Sequence, residues 1–350
     1  MKTTAAVLVQ AGQIELAELD IPALRPGQVL IEVGFSGVCR SQILEWRGHR
    51  GPDPYLPHCL GHEGSGTVLE VGSEVRKVRA GDRVILSWMK GTGAEVPGTV
   101  YRWGERAVNA GGITTFSRHT VVSENRVTPL AAGVGLREAA LVGCAIATGA
   151  GAVWNTAGAT AGRSLAVFGV GGIGLCSVAG AAIAGCTPLI AVDVRPDALE
   201  RARRLGATVS ILAGTTDPVA EIRRLCPGGA DFAIEATGRP EAMTQALACV
   251  RPRGGAAVVV GNARHGERVP LDPYELNQGK RLLGSWGGDN EPDRDFPRYL
   301  EWLRTGKLDA ACLLLPPYPL ERVTAALEDL EAGRAARPLI EMFPGRPAHS

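Results

Sequence analysis

The stretch from Leu165 onward constrains the fold most, because short apolar runs alternate there with helix-forming segments. The predicted strands are residues 165–168, 189–192, 232–235 and 256–260, and the predicted helices are 174–184 and 195–205. Strands that alternate with helices in this way are joined by right-handed βαβ crossovers. The pattern therefore predicts an α/β fold with a doubly wound parallel sheet.

A glycine-rich motif separates the first predicted strand of this region from the first helix. It reads Gly169-Val170-Gly171-Gly172-Ile173-Gly174 and matches GxGxxG. In a dinucleotide-binding unit such glycines allow a tight turn and close backbone approach, and the helix N-terminus faces the pyrophosphate. Asp193 ends the next strand and would bond the ribose hydroxyls, which predicts NAD, although Arg195 beside it could hold a 2′-phosphate. The alternative is a glycine-rich turn in another α/β fold.

The first part of the chain has a different texture, typical of antiparallel β structure. Val29, Ile31 and Val33 share one face at period two, and further short strands are predicted at 67–71 and 83–86. Together these strands predict a small barrel. We expect three segments: 1–147 as a β domain, 148–286 as the dinucleotide-binding domain, and 287–350 as a return to the first domain.

Composition excludes several classes of protein. A net charge of +1 and a hydrophobic share of 45% are typical of a globular chain, not of a disordered protein or an electrostatically driven binder of nucleic acid or membrane surfaces. The uncharged stretch 164–192 is interrupted by glycines and Pro188, which argues against a membrane span. Because no signal-peptide pattern is seen, we expect a cytoplasmic protein, in which the eight cysteines are thiols or metal ligands.

Three residues with soft ligand atoms lie on separate segments. Cys39, His62 and Cys144 could form a three-ligand zinc site with a fourth position free for water or substrate. Such an arrangement is typical of catalytic rather than structural zinc. Taken singly, each residue has an ordinary alternative, since a lone buried cysteine behaves as a small hydrophobe and His62 could be a turn residue.

These segments, in this order, resemble the zinc-dependent medium-chain alcohol dehydrogenases over nearly the whole chain. Further landmarks of the resemblance are 115–122, 231–238 and 333–337. The resemblance implies a GroES-like β-barrel catalytic domain joined to a Rossmann domain, with the active site between them. It also implies assembly as a homodimer or homotetramer.

The resemblance assigns roles around one catalytic Zn²⁺ per chain. Cys39, His62 and Cys144 would be its ligands, and Glu63 the nearby carboxylate that can ligate transiently. Ser41 would bond the substrate oxygen and begin proton release. The metal would lower the pKa of the substrate hydroxyl, so that a hydride can pass to the nicotinamide ring.

Other roles carried by the resemblance concern the dinucleotide. Arg40 and Arg337 match guanidiniums that contact the pyrophosphate, and Thr237 falls in a landmark segment of the cofactor site. An arginine suits this task because its fork of donors matches two phosphate oxygens.

Two departures from the family pattern stand out. Many relatives hold a second, structural zinc on four cysteines, but the corresponding lobe, 89–98, has no cysteine, and none follows through Gly112. We therefore expect that zinc to be absent. The histidine that finishes the proton relay in many liver-type relatives is replaced by Leu44, and His49 is the nearest candidate to take over.

The resemblance also places Trp88 in the substrate pocket, with Phe116 and Trp286 as further walls. The segment 46–55 lies between two ligands and contains several polar side chains, whereas a pocket for simple aliphatic alcohols would be mostly apolar. The sequence thus predicts an NAD-dependent zinc dehydrogenase for a polar secondary alcohol or its carbonyl partner, such as a sugar or cyclitol. Two alternatives stay open: a zinc-free enone or quinone reductase of the same superfamily, and a non-enzymatic dinucleotide-binding protein.

Overall fold

The computed structural model describes residues 1–345, which divide into two compact units. The second unit comprises Ala145–Asn290 and Gly306–Leu313, and the rest of the described chain forms the first. These limits differ from the expected 1–147, 148–286 and 287–350, since the segment after 287 is shared between the units. The first change of unit comes at Cys144 because the next residue begins a helix of the second unit, where the Ser177 hydroxyl donates to the Gly149 carbonyl at 3.0 Å.

The first 144 residues form ten strands and two short helices. They are β1 (Lys2–Gln10), β2 (Gln13–Asp20), β3 (Gln28–Gly37), α1 (Arg40–Trp46), β4 (His58–Cys59), β5 (Glu63–Val71), β6 (Arg83–Ser87), β7 (Thr99–Trp103), β8 (Arg106–Gly111), β9 (His119–Ser123), β10 (Val127–Pro129) and α2 (Leu136–Ala139). Strands β1, β2, β7, β8 and β4 close into a small barrel, whereas the strands from which the sequence predicted a barrel, β3, β5 and β6, pair in a separate sheet. Val29, Ile31 and Val33 of β3 are fully buried in the core of this unit.

The second unit contains the predicted alternation of strands and helices. Its elements are α3 (Ala145–Gly151), β11 (Leu165–Phe168), α4 (Gly172–Ile183), β12 (Leu189–Asp193), α5 (Pro196–Arg204), β13 (Val209–Leu212), α6 (Pro218–Leu225), β14 (Phe232–Glu235), α7 (Pro240–Cys249), β15 (Ala256–Val259), α8 (Pro273–Asn277) and β16 (Arg281–Gly284). The six strands form one parallel sheet in the order β13-β12-β11-β14-β15-β16. The doubly wound α/β fold is therefore confirmed.

The C-terminal elements complete the sheet of the first unit. They are α9 (Pro292–Arg304), β17 (Tyr318–Pro319), α10 (Val323–Glu331) and β18 (Leu339–Glu341). Strand β18 pairs antiparallel with β3, Leu339 lying opposite Gly37. The resulting seven-stranded sheet has the order β10-β6-β5-β3-β18-β17, with β9 also paired to β3. Strand β18 is thus held beside the strand that leads to Cys39.

The uncharged stretch 164–192 does not form one long helix. It contains β11, α4 and most of β12, all of which pack in the interior of the second unit. Within residues 1–345 no single helix has the length and apolar character to cross a membrane. The bent helix pair Leu136–Gly143 and Ala145–Thr156 is together long and apolar enough, by length and composition alone.

The cysteine-free lobe, 89–98, is held by hydrogen bonds to a buried carboxylate. Glu124 is 3% exposed, and it accepts from the backbone N–H groups of Arg76 at 2.5 Å, Lys77 at 2.6 Å and Ala94 at 2.8 Å. Burial alone would raise the pKa of Glu124, but these donors lower it below its ordinary value. The carboxylate thereby joins the lobe to the turn at 76–77 without any thiolate ligand.

Candidate active site

The first ligand segment is the start of α1. Cys39 occupies the N-cap position, with φ −105° and ψ 148°. Its backbone N–H donates to the side-chain oxygen of Gln42 at 2.9 Å, a contact within the first helical turn. The cap fixes the point at which the chain leaves β3 and turns into the helix, and so fixes Cys39.

The second ligand follows a tight turn before β5. Gly61 has φ +94°, and a Cβ there would lie 2.5 Å from the backbone nitrogen of Phe116, so only glycine fits without a shift. The Trp88 N–H donates to the carbonyl of His62 at 3.0 Å. His62 is therefore held by its own backbone between the turn and the end of β6.

The third ligand follows a 3₁₀ turn. Gly143 packs so closely on β6 that a Cβ would overlap the Leu86 carbonyl oxygen. The Ser87 hydroxyl donates to the Gly143 carbonyl at 2.7 Å. This close approach brings Cys144 to the same end of β6 that holds His62.

The three segments converge as the sequence suggested. The ligand atoms of Cys39, His62 and Cys144 all lie within 4.8 Å of one another. Within residues 1–345 these three residues form the one group of potential metal ligands that lie this close together. A hydrogen bond from Cys144 holds the pKa of the Cys39 thiol well below its ordinary value, and the charge of Arg337 adds to this. Two sulfurs and one imidazole nitrogen are donors that suit Zn²⁺, and three protein ligands leave a coordination position open.

A buried ion pair lies beside this cluster. Arg337 Nη2 donates to Glu63 Oε1, and the two side chains are 3% and 0% exposed. The resemblance implied a pyrophosphate contact for Arg337, but the structure places its guanidinium inside the first unit, on a carboxylate. Arg40, by contrast, is exposed in the first turn of α1. The pyrophosphate role of both arginines stays a prediction.

Ser41 has the setting expected of a residue that meets a substrate hydroxyl. It is 6% exposed, and its Oγ is buried without a hydrogen-bond partner among the described residues. His49 lies just after α1, half-buried, with its backbone N–H donating to Leu44 at 2.7 Å. No hydrogen bond joins it to Ser41, so a relay through His49 would need a bridging group.

The glycine motif adopts the strand–turn–helix form that dinucleotide binding requires. Gly169 follows β11 with φ +82°, and Gly171 is the N-cap of α4. A Cβ at Gly174 would overlap the carbonyl oxygen of Gly169, and a Cβ at Gly169 would overlap Thr237 Cγ2. These glycines are thus required by close packing as well as by the turn, while Gly172 and Ile173 begin the helix.

Asp193 ends β12 and turns back onto the motif. Its Oδ2 accepts from Val170 N–H at 2.8 Å and its Oδ1 from Arg195 N–H at 3.0 Å. Arg195 Nε lies 3.9 Å from the same carboxylate, which is 10% exposed. Asp193 is therefore held beside the glycine turn. Arg195 is close enough to weaken the negative electrostatic potential of the Asp193 carboxylate.

The predicted pocket walls have three different settings. Trp88 is half-buried and adjoins His62 through its backbone hydrogen bond. Phe116 is fully buried in the hydrophobic core of the first unit, where its ring packs against Gly61, and its role as a pocket wall stays a prediction. Trp286 belongs to the second unit and is 79% exposed.

The sequence did not predict the cavity that the first unit contains. Its volume is about 830 Å³, and it is lined by much of 48–62 and by residues of β7 and β8. His62 is among the lining residues, so the cavity reaches a metal ligand. Since β8 is distant in sequence from the ligand segments, only strand pairing could reveal this wall.

Sequence reasoning also missed Glu235. This carboxyl group is fully buried at the end of β14 and accepts hydrogen bonds from Thr237 and Gly238. A charged residue that ends an apolar strand was the signal available, since acidic residues are rarely fully buried without a reason.

Comparison with known proteins agrees with this geometry. Residues 25–132 match the alcohol dehydrogenase GroES-like domain, and residues 172–305 match the zinc-binding dehydrogenase family. The S-(hydroxymethyl)glutathione dehydrogenase of Synechocystis sp. is 31% identical over 97% of this chain and 100% of that protein. The chain therefore belongs to the zinc-dependent alcohol dehydrogenases of the medium-chain dehydrogenase/reductase superfamily.

Solved structures show the same fold. Benzyl alcohol dehydrogenase from Acinetobacter calcoaceticus is 29% identical, with a TM-score of 0.90, over 98% of this chain and 100% of that one. The 2R,3R-butanediol dehydrogenase of Bacillus subtilis is 27% identical, with a TM-score of 0.81, over 97% and 100%. The chain is an oxidoreductase with zinc and a nicotinamide dinucleotide as cofactors, which disfavours the zinc-free and non-enzymatic alternatives.

Purified protein should contain about one zinc per chain, because residues 1–345 contain one three-ligand cluster and the 89–98 lobe has no cysteine. Replacing Cys144 by Ser should remove metal and activity together. Cys186→Ser, in the second unit, is the matched control and should retain both. Metal analysis and alcohol-dependent cofactor reduction are the measurements, and two tightly held equivalents would contradict the prediction.

Proposed function

We propose that the chain transfers a hydride between NAD(H) and a polar secondary alcohol, of the sugar or cyclitol type, or the corresponding carbonyl. The observation that carries this proposal is the cavity of about 830 Å³ that reaches His62. A homodimer or homotetramer and a cytoplasmic location stay predictions of the sequence.

The cavity wall offers groups that would bind a polar substrate. It includes Arg50, Asp53, Tyr55, His58 and Asn109, side chains that can bond hydroxyl groups. The rest of the lining is mostly apolar, so these few polar side chains are the ones that would select for hydroxyl groups.

Part of this wall is fixed before any ligand binds. Asp53 Oδ2 lies 2.9 Å from His58 Nε2, and Asp53 Oδ1 accepts from the Tyr55 N–H at 2.9 Å. The Asn109 side chain donates to the Tyr55 carbonyl at 2.6 Å, which joins the loop to β8. A preformed acceptor in the wall would bind substrate hydroxyls with little ordering cost.

The names of the relatives support an alcohol as the substrate. One is a dehydrogenase of butanediol, a secondary alcohol with a second hydroxyl, and another acts on S-(hydroxymethyl)glutathione, which is itself polar. The benzyl alcohol dehydrogenase represents the apolar alternative.

The chain's own residues would divide the reaction among them. Cys39, His62 and Cys144 would hold a zinc ion, which would supply a Lewis acid for the substrate oxygen, and a bound dinucleotide would supply the hydride acceptor. Ser41 Oγ is buried and has no hydrogen-bond partner among the described residues. It would bond the substrate hydroxyl, receive its proton and give up its own hydroxyl proton in the same relay. His49 would accept that proton by way of a bridging group and release it to solvent.

Kinetics on an alcohol panel tests the substrate proposal. With NAD, polyols and cyclitols should give higher kcat/KM than ethanol or benzyl alcohol. Asp53→Asn should lower kcat/KM for the best polyol by about tenfold, because a charged acceptor is lost. Asp20→Asn, at an exposed site outside the cavity, is the control. Higher kcat/KM for the simple alcohols would refute the polar-substrate proposal, and preference for S-(hydroxymethyl)glutathione would refute the secondary-alcohol part.

NAD should be preferred over NADP, because the Asp193 carboxylate would repel a 2′-phosphate in a poorly solvated site. The expected difference in kcat/KM is at least about tenfold, and Asp193→Ser should reduce it. Similar kcat/KM values with NAD and NADP in the unmodified protein would indicate that Arg195, which lies 3.9 Å from the carboxylate, offsets the repulsion of a 2′-phosphate. A clear preference for NADP would contradict the assignment.

His49→Ala should lower kcat at neutral pH by about tenfold and recover partly at alkaline pH, where solvent hydroxide replaces the base. His265→Ala, exposed in the second unit, is the matched control. A pH profile of kcat that is unchanged by His49→Ala would remove His49 from the proton path.

A further inference from the structure

The proposed reaction does not use one buried ionisable group of the second unit. Glu235 is fully buried, and burial raises the pKa of its carboxyl group. Burying a carboxyl group is costly unless hydrogen bonds compensate. The hydrogen bonds that Glu235 accepts therefore indicate its structural role.

Glu235 lies at the point of the sheet where the order of strands reverses. From β11 the chain continues to β12 and β13 on one side, and then returns to β14 on the other. Phe168, the last residue of β11, lies opposite Glu235, the last residue of β14. In open α/β sheets, ligands bind in the crevice at the carboxyl ends of the strands at this reversal point.

The carboxyl group holds the turn that follows β14. Its Oε1 accepts from Thr237 N–H at 2.7 Å, from the Thr237 hydroxyl, and from Gly238 N–H at 2.9 Å. Its Oε2 is buried without a hydrogen-bond partner among residues 1–345. A single oxygen, Oε1, thus accepts three hydrogen bonds from the turn.

This turn packs directly on the glycine motif. Thr237 Cγ2 occupies the place that a Cβ on Gly169 would take. On the other side, Gly238 has φ +72° and packs on the backbone of Asn262, and Gly261 packs on Gly238. The loops after β11, β14 and β15 are therefore in direct contact, so a shift of the turn would be transmitted to Gly169.

We propose that Glu235 is a positioning residue for the dinucleotide. It fixes the Thr237–Gly238 turn through Oε1, and the turn holds the Gly169 loop in the form that accepts the pyrophosphate. The inference rests on dinucleotide binding at the glycine motif. Glu235 acts on cofactor affinity and not on the chemical step.

A matched control separates positioning from general stability. Asp231 precedes β14, at the opposite end from Glu235, and accepts from Ser164 N–H at 3.0 Å and from Arg251 Nε at 2.8 Å. Asp231→Asn therefore weakens the same strand without touching the turn. It should lower the melting temperature while leaving cofactor affinity unchanged.

The test measures NADH binding by fluorescence titration of the full zinc-containing protein, together with steady-state kinetics. Glu235→Ala should raise the Kd for NADH and the KM for NAD by about tenfold, because three donors lose their acceptor. The KM for the alcohol and the zinc content should stay as in the unmodified protein. Glu235→Gln retains an acceptor oxygen and should restore the Kd to within about threefold.

Other outcomes overturn the inference. Unchanged NADH affinity in Glu235→Ala, or equal weakening in Glu235→Gln and Asp231→Asn, would reduce Glu235 to a packing residue. If Glu235→Ala does not fold, Glu235→Asp withdraws the carboxyl group from the turn, and unchanged affinity in that variant has the same meaning. An unmodified protein that fails to bind NADH would instead refute dinucleotide binding itself, and the inference with it.

Discussion

The pairing of Glu63 with Arg337 is the interaction on which the candidate metal site depends. Both side chains are buried, and a buried charge without a partner is strongly destabilising. Gly37 leaves no room for a Cβ beside the Glu63 carboxylate, so β3 and β5 approach closely at this point. The pair joins the segment before β18 to β5, next to the ligand His62. Because the charge of Arg337 also favours the Cys39 thiolate, the same interaction supports folding and metal binding.

Close backbone packing has a comparable effect in the second unit. Gly174 and Gly169 must lack side chains because each would meet an atom of a neighbouring loop. Asp193 holds the turn from one side through Val170, and Glu235 holds the neighbouring turn from the other through Thr237. A dinucleotide would meet a loop that is already formed, which reduces the ordering cost of binding.

The 89–98 lobe shows how a chain can hold an irregular segment with carboxylates. Besides the Glu124 contacts, Asp293 of α9 pairs with Lys77 and accepts from Thr92 Oγ1 at 2.8 Å. The lobe is therefore tied to two parts of the first unit. Its end nearest β6 adjoins Trp88, whose carbonyl accepts a hydrogen bond from Arg126. A stable lobe in this place supports the backbone contact between Trp88 and His62.

The sequence by itself determined the features that depend on local order along the chain. The apolar runs around Leu165 and Phe232 predicted the parallel sheet because such short runs, bounded by turn residues and alternating with helix patterns, are typical of buried parallel strands. The family pattern identified Cys39, His62 and Cys144, and the structure brings their ligand atoms together. Tertiary structure alone decided contacts between residues far apart in sequence.

Those contacts include the features of the site that the sequence did not predict. The Phe116 ring is buried because it packs against Gly61, a residue of another segment. The partner of Glu63 lies near the end of the chain, and the cavity wall at Asn109 is contributed by a hairpin outside every ligand segment. No local pattern records which distant side chain meets a buried charge, because that choice is made only when the sheets and loops pack.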